Sequence, residues 1–143
     1  IGSVPMSRSY AKLLDANLAI IDKRRPAHNK AEVMHLIGKV GAKNVLIMDD
    51  MVDTAGTMVA AAKKARAMGA ISVNAAVTHG VLSGPAIRRL SKAPIDRILI
   101  TDTINIAPKK HMDKLIPVSV APVFGEAIQR IHNEESISVL FDI

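Results

Sequence analysis

The chain has 143 residues, no cysteine and a formal net charge of +6. That length is enough for one domain with its own core, and the absence of thiols excludes disulfides and thiolate catalysis and leads one to expect a reducing, cytoplasmic setting. No apolar run reaches the roughly 18 residues of a membrane span, no charged-then-apolar leader precedes Tyr10, and with aromatics at 2% and no tryptophan the positive charge lacks the stacking platforms of a nucleic-acid binder, so neither membrane nor nucleic acid is expected as a partner.

In chain order, Ser7 to Leu14 predicts a short helix with Tyr10, Leu13 and Leu14 on one side. Leu18 to Asp22 is β-compatible. The basic run Lys23-Arg24-Arg25-Pro26 then leaves regular pairing at the proline and, by itself, reads as a solvated loop. Glu32 to Val40 fits two periods: Val33, Met34, Leu36 and Ile37 suit a helix capped at Asn29, whereas alternation through Val33, His35, Ile37 and Lys39 suits a strand. Gly41 to Asn44 predicts a turn, Val45 to Met48 a buried strand, and Thr57 to Met68 a helix that Gly69 stops, with Met58, Ala61, Ala65 and Met68 on one face. Ser72 to Thr78 predicts a strand ending at His79, and Gly84 to Lys92 a helix capped by Ser83. Ile95 to Thr101 and Leu115 to Val120 predict two further strands, with a polar connector from Pro108 to Asp113 between them. Pro122 opens a helix to about Asn133 whose Phe124, Ile128 and Ile131 can reach the core, and Ile137 to Phe141 reads as a terminal β-like segment. Strands alternating with helices argue an α/β domain with a mainly parallel sheet, and no repeat or linker divides residues 1–143.

The chemistry concentrates in Val45 to Ala62. An apolar strand ends in the adjacent carboxylates Asp49 and Asp50. Asp53-Thr54-Ala55-Gly56-Thr57 follows, and an alanine-rich helix begins at once. A helix N-terminus offers unpaired amides and partial positive charge, and small residues let a phosphate come close. The carboxylates repel phosphate but accept hydrogen bonds from hydroxyls, and suit hydrated Mg²⁺. A sugar phosphate satisfies both halves. Thr57 as a simple N-cap is the plainer alternative for the loop alone. Paired carboxylates at a strand tip are costly, and favour a ligand.

Asp49-Asp50-Met51-Val52-Asp53-Thr54-Ala55-Gly56-Thr57 resembles the phosphoribosyl-pyrophosphate motif of type I phosphoribosyltransferase-like proteins. Together with YAKLLDANLAIIDKRRP, AVTHGVLSGPAIRRL, ITDTI and SVAPVFGEAIQRIHNEESISVLF, which span Tyr10 to Phe141, it resembles the ribose-phosphate pyrophosphokinase family. The resemblance implies a type I phosphoribosyltransferase-like fold with a basic hairpin loop over the site, so that Glu32 to Val40 becomes a strand. It implies transfer of the diphosphoryl group of ATP to ribose 5-phosphate with Mg²⁺. Asp53, Thr54, Ala55, Gly56 and Thr57 would hold the 5-phosphate, Asp49 and Asp50 the ribose hydroxyls, and Lys23 and Arg25 the transferring group. Ser136 and Ser138 would belong to a regulatory site at a subunit boundary of a homo-oligomer, dimers building a hexamer. The resemblance covers only the C-terminal half of the family's two-domain enzyme. It implies metal ligands outside this chain, including an aspartate ahead of Ile1, where Gly2-Ser3 departs from the family's glycine pair. The same motif also serves phosphoribosyltransferases and non-catalytic sugar-phosphate binders, which remain the alternatives.

Overall fold

A computed structural model describes residues 4–24 and 33–141. Helix α1, Val4–Leu13, precedes an antiparallel hairpin of β1, Ile20–Arg24, and β2, Val33–Ile37, paired with Lys23 opposite Met34. Then come β3, Asn44–Val52, α2, Gly56–Ala67, β4, Ser72–Gly80, α3, Ala86–Ser91, β5, Arg97–Thr101, β6, Leu115–Val118, and α4, Ala121–His132. Single 3₁₀ turns lie at Pro108–Lys110 and Ser138–Leu140. Strands β3 to β6 form one parallel sheet in the order β3-β4-β5-β6. The α/β expectation holds, and within the ambiguous Glu32 to Val40 stretch Val33–Ile37 forms a strand.

The core lies on one face of that sheet. Alternate residues of β4 and β5, Val73, Ala75 and Val77 with Ile98 and Ile100, point to it and are almost fully buried. Helix α2 meets them with Met58, Ala61, Ala62 and Ala65, all buried, because alanines let a helix lie close to a sheet. Met68, expected on one face with Met58, Ala61 and Ala65, is 39% exposed: it is the C-cap residue and has left the helical stripe. The helix then ends in a two-bond reversal, with Gly69 N–H on Arg66 O at 2.9 Å and Ala70 N–H on Ala65 O at 3.1 Å. Gly69 sits there at φ 86°, which a residue with a Cβ adopts reluctantly. Arg66 ties this end of α2 to the loop before β5 through both oxygens of Asp96, at 2.8 and 2.6 Å. Lys114 Nζ donates to the carbonyls of Leu90, Ala93 and Ile95 at 3.0 to 3.1 Å, satisfying the C-terminal end of α3.

Three expectations need correction. Strand β3 does not stop at Met48. It pairs with β4 through Met51 opposite His79 and Val52 opposite Gly80, so Asp49 and Asp50 lie within the strand. The stretch around Ile137 to Phe141 is a 3₁₀ turn, because Leu140 N–H closes on Ile137 O and Phe141 N–H on Ser138 O before any partner strand is met. Phe124, Ile128 and Ile131 do not reach the core. They are 60 to 67% exposed, since α4 follows the edge strand β6 and lies beyond the face that α2 and α3 cover.

Candidate functional site

The C-terminal ends of β3 and β4 carry the polar chemistry, as expected for an open parallel sheet. Asp49 is half-buried and Asp50 exposed. Burial first of all pushes the Asp49 carboxyl above its ordinary value. The neighbouring Asp50 carboxyl adds to that rise, and the Asp50 amide, donating to Asp49 Oδ1 at 3.0 Å, works against it. The pair thus keeps unused acceptor capacity near the sheet edge. Among the described residues no three His, Cys, Asp or Glu side chains gather into a metal cage.

Five residues further on, Ala55 stands at the N-cap of α2 in the left-handed conformation, φ 61°, ψ 11°, with no side-chain cap. Thr57 is therefore not the cap. Val59 N–H closes the first helical turn on Ala55 O at 3.1 Å. The amides of Gly56, Thr57 and Met58 precede that turn and have no helical acceptor. A left-handed residue leading into a helix turns successive N–H groups towards one point, which makes a concave anion cradle. Asp53, Thr54, Gly56 and Thr57 are exposed around it, while Ala55 is buried and anchors the loop to the core.

A second loop, between β4 and α3, lies along the first. Leu82 N–H donates to Val52 O at 3.0 Å and Ser83 N–H to Asp53 O at 3.1 Å. Ser83 Oγ donates to the Asp53 carboxylate. Arg89 Nη1 donates to Thr54 O at 3.0 Å. The Asp53 carboxylate is thereby engaged with the neighbouring loop through one of its oxygens. Ser83, expected as the α3 cap, serves this loop instead, and Pro85 occupies the cap position.

Arg25 and the tip of the β1–β2 hairpin fall outside the described residues, as does the side chain of Lys23. Ser136 and Ser138 are at the far end of the chain, with their hydroxyls 2.8 Å apart and Ser138 N–H on Ser136 Oγ at 3.2 Å. Arg130 holds that region through Glu126 at 2.7 Å and Glu135 at 3.6 Å. His79 closes a hydroxyl network, Nδ1 to Thr103 Oγ1 at 2.9 Å, with Thr103 Oγ1 also 3.0 Å from Thr101 Oγ1. Asp102 works inside the fold: Ser119 Oγ and Val120 N–H donate to it at 2.6 and 2.9 Å, and these bonds hold its carboxyl below the ordinary value.

A family model described as "Phosphoribosyl synthetase-associated domain" matches residues 2–142. The chain belongs to this phosphoribosyl synthetase-associated domain family. It is 54% identical over 140 residues to a ribose-phosphate pyrophosphokinase of Caldanaerobacter subterraneus subsp. tengcongensis, covering 98% of this chain and 44% of that protein. Against the ribose-phosphate pyrophosphokinase of Clostridium acetobutylicum it is 50% identical over 141 residues, covering 99% of this chain and 44% of the relative. The crystal structure of phosphoribosylpyrophosphate synthetase from Mycobacterium smegmatis superposes with a TM-score of 0.86 at 32% identity, over 94% of this chain and 43% of that one. The chain therefore spans somewhat under half the length of these relatives. Ser83 and Arg89 lie in the AVTHGVLSGPAIRRL stretch that carries the resemblance, yet neither was expected at the site. The Arg89 bond to Thr54 O joins residues 35 apart in sequence.

Proposed function

We propose that this chain is the ribose-5-phosphate-binding, C-terminal half of a cytoplasmic ribose-phosphate diphosphokinase with a type I phosphoribosyltransferase-like fold. The observation that carries the reading is the left-handed Ala55 turn at the head of α2, together with the half-buried Asp49 on the strand that leads to it, in a chain so similar to proteins named ribose-phosphate pyrophosphokinase. The amides of Gly56, Thr57 and Met58, with the hydroxyls of Thr54 and Thr57, receive the 5-phosphate. Asp49 and Asp50 accept from the ribose hydroxyls and so orient the sugar. Lys23 and Arg25, carried on the basic hairpin, close over ATP, exclude water and offset charge on the transferring diphosphoryl group. The products are AMP and phosphoribosyl pyrophosphate.

Mg²⁺ suits the donor set, because two carboxylates with free oxygens hold such an ion when substrate oxygens and water complete the shell. When bound, it neutralises phosphate charge. Asp49 and Asp50 would meet such an ion through its water shell, with its direct ligands outside this chain. The apolar side chains exposed on α4 support assembly into a homo-oligomer, dimers building a hexamer, and Ser136 and Ser138 suit a phosphate-bearing regulator at a boundary between copies.

AMP release from ATP and ribose 5-phosphate by the complete protein tests the activity, and separates it from phosphoribosyl transfer to a base. Asp49→Asn with Asp50→Asn tests the roles. Calorimetric affinity for ribose 5-phosphate is expected to fall roughly tenfold, as charge-assisted acceptors become neutral, while affinity for inorganic phosphate holds. Equal loss for both ligands would contradict the assignment.

A further inference from the structure

The loop between β4 and α3 follows the candidate phosphate loop almost residue for residue. Val52 O is met by Leu82 N–H, Asp53 by Ser83 through both backbone and hydroxyl, and Thr54 O by the Arg89 guanidinium. Arg89 Nη1 also lies 3.6 Å from where a Cβ on Gly56 would sit, so one guanidinium reaches both sides of Ala55. Both loops carry a buried non-glycine residue at positive φ: Ala55 at 61° and Leu82 at 49°. Such conformations persist where the surroundings over-determine them. The Arg89 bond is also the sole side-chain hydrogen bond to residues 54 to 57 among the described residues.

We propose that Arg89 is a positioning residue for phosphate binding: it fixes the left-handed turn at Ala55, and so aims the amides of Gly56, Thr57 and Met58. The proposal rests on the reading of this loop as the 5-phosphate site. The guanidinium suits the task because its planar fork can donate to a carbonyl while keeping full positive charge beside the cradle. A Cβ at Gly56 would rest in ordinary contact with the same guanidinium, which places Arg89 alongside the start of α2.

The test uses the complete protein with Arg89→Ala, Arg89→Lys and, as a milder variant, Ser83→Ala. Three measurements are made: calorimetric affinity for inorganic phosphate, amide hydrogen exchange at Val59, whose N–H closes on Ala55 O, without ligand, and the thermal midpoint. Arg89→Ala is expected to weaken phosphate roughly tenfold, the scale of a hydrogen bond from a charged donor. It is also expected to speed exchange at that amide and leave the midpoint within a few degrees. Arg89→Lys, which keeps a donor, recovers part of both, and Ser83→Ala shifts both in the same direction by less. In turnover, KM for ribose 5-phosphate rises more than kcat falls. Unchanged affinity would overturn the proposal. Lost affinity with unchanged exchange in the free loop would make Arg89 a direct phosphate ligand instead, and loss of all three together would make it a packing residue of α3. If the parent protein takes up no phosphate, the reading of the site itself falls, and the exchange measurement still decides whether Arg89 holds the loop.

Discussion

The two faces of the parallel sheet are built to different standards. On one, β4 and β5 press Val73, Ala75, Val77, Ile98 and Ile100 into α2 and α3, and none of these side chains exceeds 4% exposure. On the other, Leu46, Leu99, Ile116 and Val118 are each 37 to 41% exposed. Helix α1 stands over that second face, and Met6, Tyr10, Leu13 and Leu14 enclose with Leu46, Met48, Leu99 and Val118 a cleft of about 290 Å³. The closed face holds the strand ends in register, so the loops that leave those ends inherit a rigid base. The open face contributes little to that rigidity.

The largest expected effect separates the faces directly. Leu90→Ala or Ile98→Ala, both fully buried, is expected to cost about 2 to 5 kcal/mol, from lost burial and from the cavity left behind. Leu99→Ala, one residue along β5 but on the open face, is expected to cost under about 1 kcal/mol. Denaturant unfolding of the three variants checks this. Equal costs would mean that the open face is as well packed as the closed one.

A smaller effect tests where the closed face meets the site. Gly80 ends β4 opposite Val52, and a Cβ there would collide with Ile100 Cδ1. Ile100 is 1% exposed and has little room to move. Gly80→Ala is expected to cost about 1 to 3 kcal/mol by overpacking. Adding Ile100→Val, which removes the colliding methyl, should return part of it. A double variant no more stable than Gly80→Ala would place the strain in the backbone rather than at Ile100.

Much of the closed face was legible before any coordinates. Alternation in Ser72 to Thr78 and the alanine run after Thr57 state both the period and the close approach of helix to sheet. The motif from Asp49 to Thr57 likewise marked the loop by its residue types. The braces around it were not legible, because Ser83 on Asp53 and Arg89 on Thr54 join positions 30 and 35 apart. Local pattern carries no trace of such pairs. Ser83 before Gly84-Pro85 looked like a helix cap for sound local reasons, and a tertiary contact took the hydroxyl elsewhere. The apolar stripe of α4 misled in the opposite sense: Phe124, Ile128 and Ile131 have a core-facing period, but the topology leaves α4 outside the covered face. The 3₁₀ turn at Ser138–Leu140 was missed because Ile137 and Val139 alternate as a strand would, with no neighbouring strand to join.

The smallest expected effect belongs to the site. Asp49 has its carboxyl raised above 3.8, mainly by burial, so the folded state holds the proton more tightly than the unfolded chain does. Its contribution to stability is whole below the unfolded value and is lost as pH rises through the folded one, which leaves ionised Asp49 as a cost at neutral pH. Asp49→Asn is therefore expected to stabilise the protein at pH 7, by under about 1 kcal/mol because solvent screens a half-exposed group. The gain should vanish in acid, where the parent carboxyl is itself protonated. Asp102 runs the other way. Its carboxyl is lowered by Ser119 and Val120, so its contribution is present above the ordinary value and is lost as pH falls through the lowered one. Asp102→Asn should then destabilise at pH 7 and lose that penalty in acid. Thermal unfolding of both variants between pH 3 and pH 7 compares a carboxylate raised by burial with one lowered by hydrogen bonds within the fold. The same sign for both at pH 7 would contradict that division.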